Sequence, residues 1–306
     1  MRIVFMGSGS FACPAVSSLL GAPGLEVLAV VTQPDRPRGR ALQMSACPVK
    51  ALVEPKGVRV ITPEKVGEIE EKLRELNADL FVVADYGQYI PTRIWSMPPH
   101  KTINIHPSLL PKYRGAAPIP WAIARGDTIT GVSIQYVTAK MDAGDLLAQE
   151  TFVISPDDTS ITLEARLAEE GARMLLGVIE RIAQGEIHPT PQNEADASHA
   201  RKLSKQDATI HWNHSAVSIH NKVRAFQPWP GAVTRIRTGA LQVSKSRVED
   251  AKGTPGWIIE MKGDGPLIAT GEGSLRLLEV QPEGKKSMPG SAWICGSRLN
   301  EGEPLI

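Results

Sequence analysis

Cysteine is scarce in this chain. Cys13, Cys47 and Cys295 are its only three among 306 residues, far apart and without a C-x-x-C pair. That pattern excludes a disulfide framework and a cysteine zinc site, and it fits a reducing compartment. No stretch approaches the roughly 18 consecutive apolar residues that a spanning helix needs. Met1-Arg2-Ile3-Val4-Phe5 runs straight into a strand-like segment, without the basic start and longer apolar core of a signal peptide. A soluble, cytoplasmic protein with no membrane association is expected. Internal repeats and low-complexity tracts are absent too, which removes repeat architectures from consideration.

Net charge is also nearly absent, at +1. The balance hides an asymmetry: residues 1–200 carry −4 and residues 201–306 carry +5. A basic C-terminal part suggests a polyanionic partner, although drift in surface composition would give the same split.

What is present fills two domains, since the chain exceeds the size at which single cores stop growing. Its 42% hydrophobic and 22% charged content is ordinary for a globular protein. Apolar runs at residues 3–7, 27–32, 80–84 and 102–105 read as strands buried on both faces. Residues 131–137 alternate more clearly and are placed nearer an edge. Helix signals lie between the runs: residues 11–20, residues 62–76 with Thr62 as N-cap and Pro63 at N1, and a long amphipathic stretch from Ser160 to Gly185. Strands alternating with helices predict an α/β, Rossmann-like, doubly wound and mostly parallel sheet over residues 1–185. Residues 186–202 lack periodicity and read as a linker. Residues 203–306 hold one helical stretch and several short Gly-punctuated strands, which predicts an OB-like β-barrel domain.

The chemistry concentrates in Asn104-Ile105-His106-Pro107-Ser108-Leu109-Leu110-Pro111, with Asp142 following 36 residues after the histidine. An amide, an imidazole and a carboxylate at strand ends, where such sheets bind ligands, can hold a tetrahedral oxyanion and move a proton. This points to acyl-type transfer, with Asn104, His106 and Asp142 as candidate catalytic residues. Gly7-Ser8-Gly9-Ser10-Phe11-Ala12 offers a rival, because G-x-G-x-x-A between a strand and a helix can bind a dinucleotide. Asp35, however, lies 28 residues from Gly7, too far for the usual ribose-binding acid. A simple tight turn is the better reading. Gln33-Pro34-Asp35-Arg36-Pro37-Arg38-Gly39-Arg40 places three arginines in a stiff loop, suited to phosphate oxygens or to no more than a basic surface. His211 and His214 have no third ligand nearby in sequence, so no metal is expected.

Asn104-x-His106-x-Ser108-Leu109-Leu110-Pro111, Arg114-Gly115 and Asp142-x-Gly144-Asp145 resemble the 10-formyltetrahydrofolate-dependent formyltransferases. The residue 33–37 loop, Arg114 to Ile119, Asp158-Thr159-Ser160, Leu203-Ser204-Lys205 and Arg224-Ala225-Phe226-x-Pro228-Trp229-Pro230 are similar to the branch of that family that formylates an aminoacyl-tRNA. The resemblance covers nearly the whole chain. It implies a formyl donor, 10-formyltetrahydrofolate, bound beside Ser108, Leu109, Leu110, Pro111, Tyr86 and Gly87, and no metal. It implies initiator methionyl-tRNA as acceptor, held by Arg36, Arg38 and Arg40 and by the C-terminal domain, and a monomer. Relatives acting on purine precursors, UDP-sugars or the folate itself share the triad. The first lacks the C-terminal domain, and the other two, normally parts of longer fusion chains, lack the Gln33–Pro37 loop. A nicotinamide oxidoreductase and an RNA-binding module with an inactive N-terminal domain remain rivals from other classes. Two positions depart from the family pattern. Ala41-Leu42-Gln43 replaces lysines that often follow the loop arginine, and Asp85 stands where alanine is common.

Overall fold

The computed structural model describes residues 1–38 and 43–305. It divides into two compact units: residues 1–118, 129–153 and 164–200 form the first, and residues 119–128, 154–163 and 201–306 the second.

The first unit is built on a seven-stranded sheet of β1 (Arg2–Gly7), β2 (Glu26–Val31), β3 (Val60–Ile61), β4 (Leu80–Ala84), β5 (Thr102–His106), β6 (Ile129–Tyr136) and β7 (Leu146–Val153), in the order β7-β6-β5-β4-β1-β2-β3. Five strands run parallel, from β3 across to β5, whereas β6 and β7 are antiparallel. The parallel strands are apolar throughout because helices cover both faces; Ile3 to Met6 and Leu80 to Ala84 are buried along their whole length. β6 is buried almost end to end, and the alternation belongs to the edge strand β7. The amphipathic stretch forms a 25-residue helix, Ser160–Gln184, burying Leu163, Leu167, Leu175, Val178 and Ile182.

Two expectations change. The helix assigned to begin at Thr62-Pro63 starts later, as a 3-10 turn at Val66–Ile69 followed by Glu70–Glu75. Gln88 is the physical reason. Its side-chain oxygen accepts from the Val66 N–H at 2.8 Å and its amide donates to the Pro63 carbonyl at 3.1 Å, so a distant side chain caps the turn in place of Thr62. The segment read as a linker is tied down. Thr190 bridges Leu146, and His199–Ala200 pairs in parallel with Arg114–Gly115, so the first unit extends to Ala200.

The second unit contains an antiparallel sheet of β8 (Ala232–Ile236), β9 (Gly239–Glu249), β10 (Ile258–Glu260), β11 (Leu267–Ala269) and β12 (Ser274–Pro282), in the order β8-β9-β12-β11-β10, with Met288–Pro289 added to β12. Its core gathers Trp212, Ile219, Val223, Leu241, Leu275, Leu277 and Trp293. The sheet is barrel-like but not closed among the described residues. Each edge is capped by a loop: β8 by Ile210, whose N–H donates to the Val233 carbonyl, and β10 by Gly302 and Glu303. No helix among the described residues is long and apolar enough to cross a membrane.

Candidate active site

β5 alternates its side chains, so Asn104 and His106 project from one face and Ile103 and Ile105 from the other. Across the strand pair, Asn104 lies opposite Gln135 and His106 opposite Ser133. His106 is 5% exposed. Its Nε2 lies 2.9 Å from the Tyr113 carbonyl oxygen, which can only accept, so Nε2 carries a hydrogen and donates. The remaining ring nitrogen, Nδ1, faces Asp142 Oδ2 at 3.8 Å. That separation is too long for a hydrogen bond and short enough for an ion pair once the ring is protonated. Asn104 is half-buried, and among the described residues its side chain makes no hydrogen bond. A free amide and an oriented imidazole therefore stand on one strand face beside a carboxylate.

The Asp142 carboxylate accepts two hydrogen bonds. The residue's φ is +51°, a left-handed conformation that aspartate tolerates better than most residues. The Gly115 N–H donates to Oδ2 at 2.8 Å, and Gln135 Nε2 donates to Oδ1 at 3.3 Å. Gly115 itself has φ +118°, and a Cβ there would lie 2.6 Å from the Ala200 carbonyl oxygen, so no other residue fits. Tyr113, at φ +61°, completes the tight turn that brings the His106 acceptor and the Asp142 donor to one place. Backbone of this kind persists only where its surroundings over-determine it.

The Ser108–Pro111 turn is locked from below. The Ser133 hydroxyl donates to the Ser108 carbonyl at 2.6 Å and accepts from the Leu110 N–H at 3.1 Å and from Gln149 at 2.9 Å. The Ser108 hydroxyl donates to the Lys112 carbonyl. Ser108 and Leu110 are buried, whereas Leu109 and Pro111 keep exposed surface. Tyr86 is buried within the core around Val4, Val31 and Ile94, where burial pushes its phenol pKa up, and Gly87 beside it is exposed. Of the six residues expected beside the folate, Leu109, Pro111 and Gly87 keep surface open to solvent, whereas Ser108, Leu110 and Tyr86 are buried.

Two amides of the glycine turn after β1 are already engaged. The N–H groups of Ser8 and Gly9 both donate to the Asp85 carbonyl, at 3.0 and 3.2 Å. Asp35 is engaged by Lys50 at 2.9 Å. Both contacts count against the dinucleotide reading, since they occupy amides and an acid that such a ligand would need. Part of Asp85 reaches solvent, but its carboxyl packs over Gly9, where a Cβ would meet it at 1.6 Å. Burial there, and secondarily Glu164, push the Asp85 carboxyl up to about 6 from 3.8. The native state therefore holds this proton more tightly than the unfolded state, and stability falls as pH rises from about 4 to 6. Asp85→Asn keeps a residue tolerant of φ +42° and removes the ionisation. It should raise Tm at neutral pH and give no such gain near pH 4. Thermal melts at both pH values check this, and an equal gain at both would refute the burial argument.

In the basic loop, Arg36–Arg38 pairs with Gln43–Ser45 as a short antiparallel ribbon. The Arg36 guanidinium meets Glu64 at 2.6 Å, both side chains exposed, a pairing worth little and easily exchanged for a phosphate. Arg40 lies outside the described residues. His211 and His214 rings stand 5.6 Å apart, and no group of three potential ligands forms among the described residues.

Sequence reasoning missed the polar groups behind Asp142. Arg114, fully buried, is held by Gln192 and Glu194, and Lys140 also pairs with Glu194. These contacts hold the Glu194 carboxyl down at about 2. Gln135 was in principle findable, as an amide facing Asn104 on the neighbouring strand. Gln192 carries no local signal.

Residues 1–179 match the family described as formyl transferase, and residues 202–298 match its C-terminal domain. The chain is 43% identical over 309 residues to the methionyl-tRNA formyltransferase of Solibacter usitatus, covering 100% of this chain and 98% of that one. It is 40% identical over 304 residues to the one from Citrifermentans bemidjiense, covering 99% and 95%. Among solved structures, WlaRD, a sugar 3N-formyl transferase crystallised with dTDP and 5-N-formyl-THF, aligns at TM-score 0.69 and 18% identity over 94% of this chain and 99% of its own. HypX from Aquifex aeolicus, in complex with tetrahydrofolic acid, aligns at TM-score 0.64 and 20% identity over 97% of this chain and 47% of its own. At such identities these two show a shared fold.

Proposed function

Because this chain belongs to the formyl transferase family, we propose that it transfers the formyl group of 10-formyltetrahydrofolate to the α-amine of methionyl initiator tRNA, giving N-formylmethionyl-tRNA for translation initiation. The observation that carries this reading is the meeting of Asn104, His106 and Asp142 at one strand end, in a chain similar along its length to methionyl-tRNA formyltransferases.

The amine lone pair attacks the formyl carbon, a C–N bond forms, and the carbonyl electron pair moves onto oxygen. The protonated His106 donates from Nδ1 to that oxyanion, and the free Asn104 amide donates beside it. One such donor is worth roughly 10²–10³ in rate. The Nε2–H bond to Tyr113 keeps the ring from turning away. Asp142 holds the imidazolium charged and helps carry the proton lost by the amine toward N10, whose bond to the formyl carbon then breaks. Leu109, Pro111 and Gly87 form the folate wall, and Ser108, Leu110 and Tyr86 back it. No metal takes part in this scheme. Arg36, Arg38 and Arg40, with the basic residues beyond position 200, serve the tRNA, and the enzyme acts as a cytoplasmic monomer.

The direct test is transfer of labelled formyl from 10-formyltetrahydrofolate to methionyl initiator tRNA, with elongator methionyl-tRNA as control. Label in the initiator alone is expected; label in neither, or equally in both, overturns the reading. Arg40→Ala should weaken tRNA use, lower the salt slope by about 1 and leave the folate KM unchanged. Wild-type tRNA kinetics at several salt concentrations would remove the loop from the acceptor site.

A further inference from the structure

The hydrogen-bond chain behind Asp142 has a direction fixed at both ends. Arg114 can only donate, and it gives Nε and Nη2 to Gln192 Oε1 at 3.1 and 2.7 Å. That sets which way the Gln192 amide faces. Its Nε2 must then point to the other side, where its two hydrogens are shared among three acceptors: Gln135 Oε1 at 2.9 Å, the Asp142 carbonyl at 3.0 Å and the Gly144 carbonyl at 2.7 Å. Donation to Gln135 Oε1 in turn fixes the second amide, leaving Gln135 Nε2 directed at Asp142 Oδ1. The chain ends on a carboxylate that only accepts. Neither amide can flip without setting donor against donor or acceptor against acceptor. Gln135 is 2% exposed and Arg114 1%, so water offers little substitute for a lost partner.

We propose that Gln192 is a positioning residue: it converts the fixed donors of buried Arg114 into an oriented Gln135 and a fixed Asp142–Gly144 backbone, and so aims the Asp142 carboxylate at His106. The proposal rests on the formyl-transfer reading above. Gln192 touches neither the reacting atoms nor His106. It holds both ends of the loop that carries the carboxylate and the side chain that meets the carboxylate oxygen. Glu194 completes the Arg114 pocket from the same segment, which keeps Gln192 against its donors.

A purely structural role would lie in clamping Arg114, and Gln192→Glu separates the two roles. Glutamate keeps an acceptor for Arg114 but has no hydrogen to give Gln135, Asp142 or Gly144. Gln192→Leu removes acceptor and donors together. The full-length protein is assayed for Tm, for folate binding to count folded sites, and for single-turnover formyl transfer with saturating substrates. The expected result is that Gln192→Glu, which keeps the Arg114 acceptor, regains part of the Tm that Gln192→Leu loses, with both KM values near wild type. Its rate per folded site should nevertheless stay at least about tenfold down, a fraction of the roughly 10²–10⁴ that acid–base help supplies. Gln135→Leu interrupts the same chain one link later, so the Gln192→Glu/Gln135→Leu pair should be no slower than the slower single variant. A wild-type rate in Gln192→Glu, or losses that multiply in the pair, overturns the proposal. If the wild-type protein transfers no formyl at all, the reaction reading fails instead.

Discussion

Asp142→Asn should lower the rate of formyl transfer by roughly 10²–10⁴ while fold and folate binding survive. The substitution is nearly isosteric, and an amide oxygen can still accept the Gly115 N–H that Oδ2 now accepts at 2.8 Å. What disappears is the charge. A carboxylate charge 3.8 Å from the His106 ring attracts an imidazolium and not a neutral ring. The opposing effect is small: the new amide meets Gln135 Nε2 donor to donor, but that bond is already long at 3.3 Å. Single-turnover formylation with saturating folate measures the chemical step, and folate binding measured separately checks the site. A loss below tenfold with intact binding would show that Asp142 does not govern the charge on His106.

How much of this was readable beforehand depends on how far each partner lies along the chain. β1, β4 and β5 were legible because a strand buried on both faces announces itself within five or six residues. Asn104 and His106 followed, since alternation puts residues two apart on one face. Asp142 came with them only as a motif. Nothing local says that its φ is +51° or that Gly115 reaches it. The start of the Glu70–Glu75 helix was misplaced for the same reason: Thr62-Pro63 is a sound local cap, and Gln88, 22 residues beyond Val66, outcompetes it. Residues 186–202 failed most instructively. Their prolines and turn formers erase periodicity, yet Thr190, Gln192 and His199 make their bonds to residues 44 or more positions away. Lack of local pattern was read as lack of structure. The open sheet of the second unit also escaped notice, because short Gly-bounded strands look alike whether loops or other strands cover their edges.

His106→Ala should lose at least as much as Asp142→Asn, and should make Asp142→Asn nearly silent when the two are combined. Removing the imidazole takes away the Nδ1 donor to the oxyanion, worth roughly 10²–10³, and with it the group whose charge Asp142 exists to hold. A carboxylate with no imidazolium beside it has little left to stabilise, so the second substitution meets a site already disabled. Groups acting as one unit give such non-additive losses, whereas independent groups give losses that multiply. The comparison must be corrected for stability. His106 is buried and bonded to the Tyr113 carbonyl, and losing that donor costs about 1–3 kcal/mol, which lowers Tm without bearing on chemistry. Single-turnover rates per folded site for the wild type, both single variants and the double variant complete the cycle. A double variant about as slow as His106→Ala supports a coupled imidazolium–carboxylate pair. A double variant slower by the product of the two losses would mean that Asp142 acts on the amine or the folate without His106, and the proton path would have to be redrawn through the carboxylate alone.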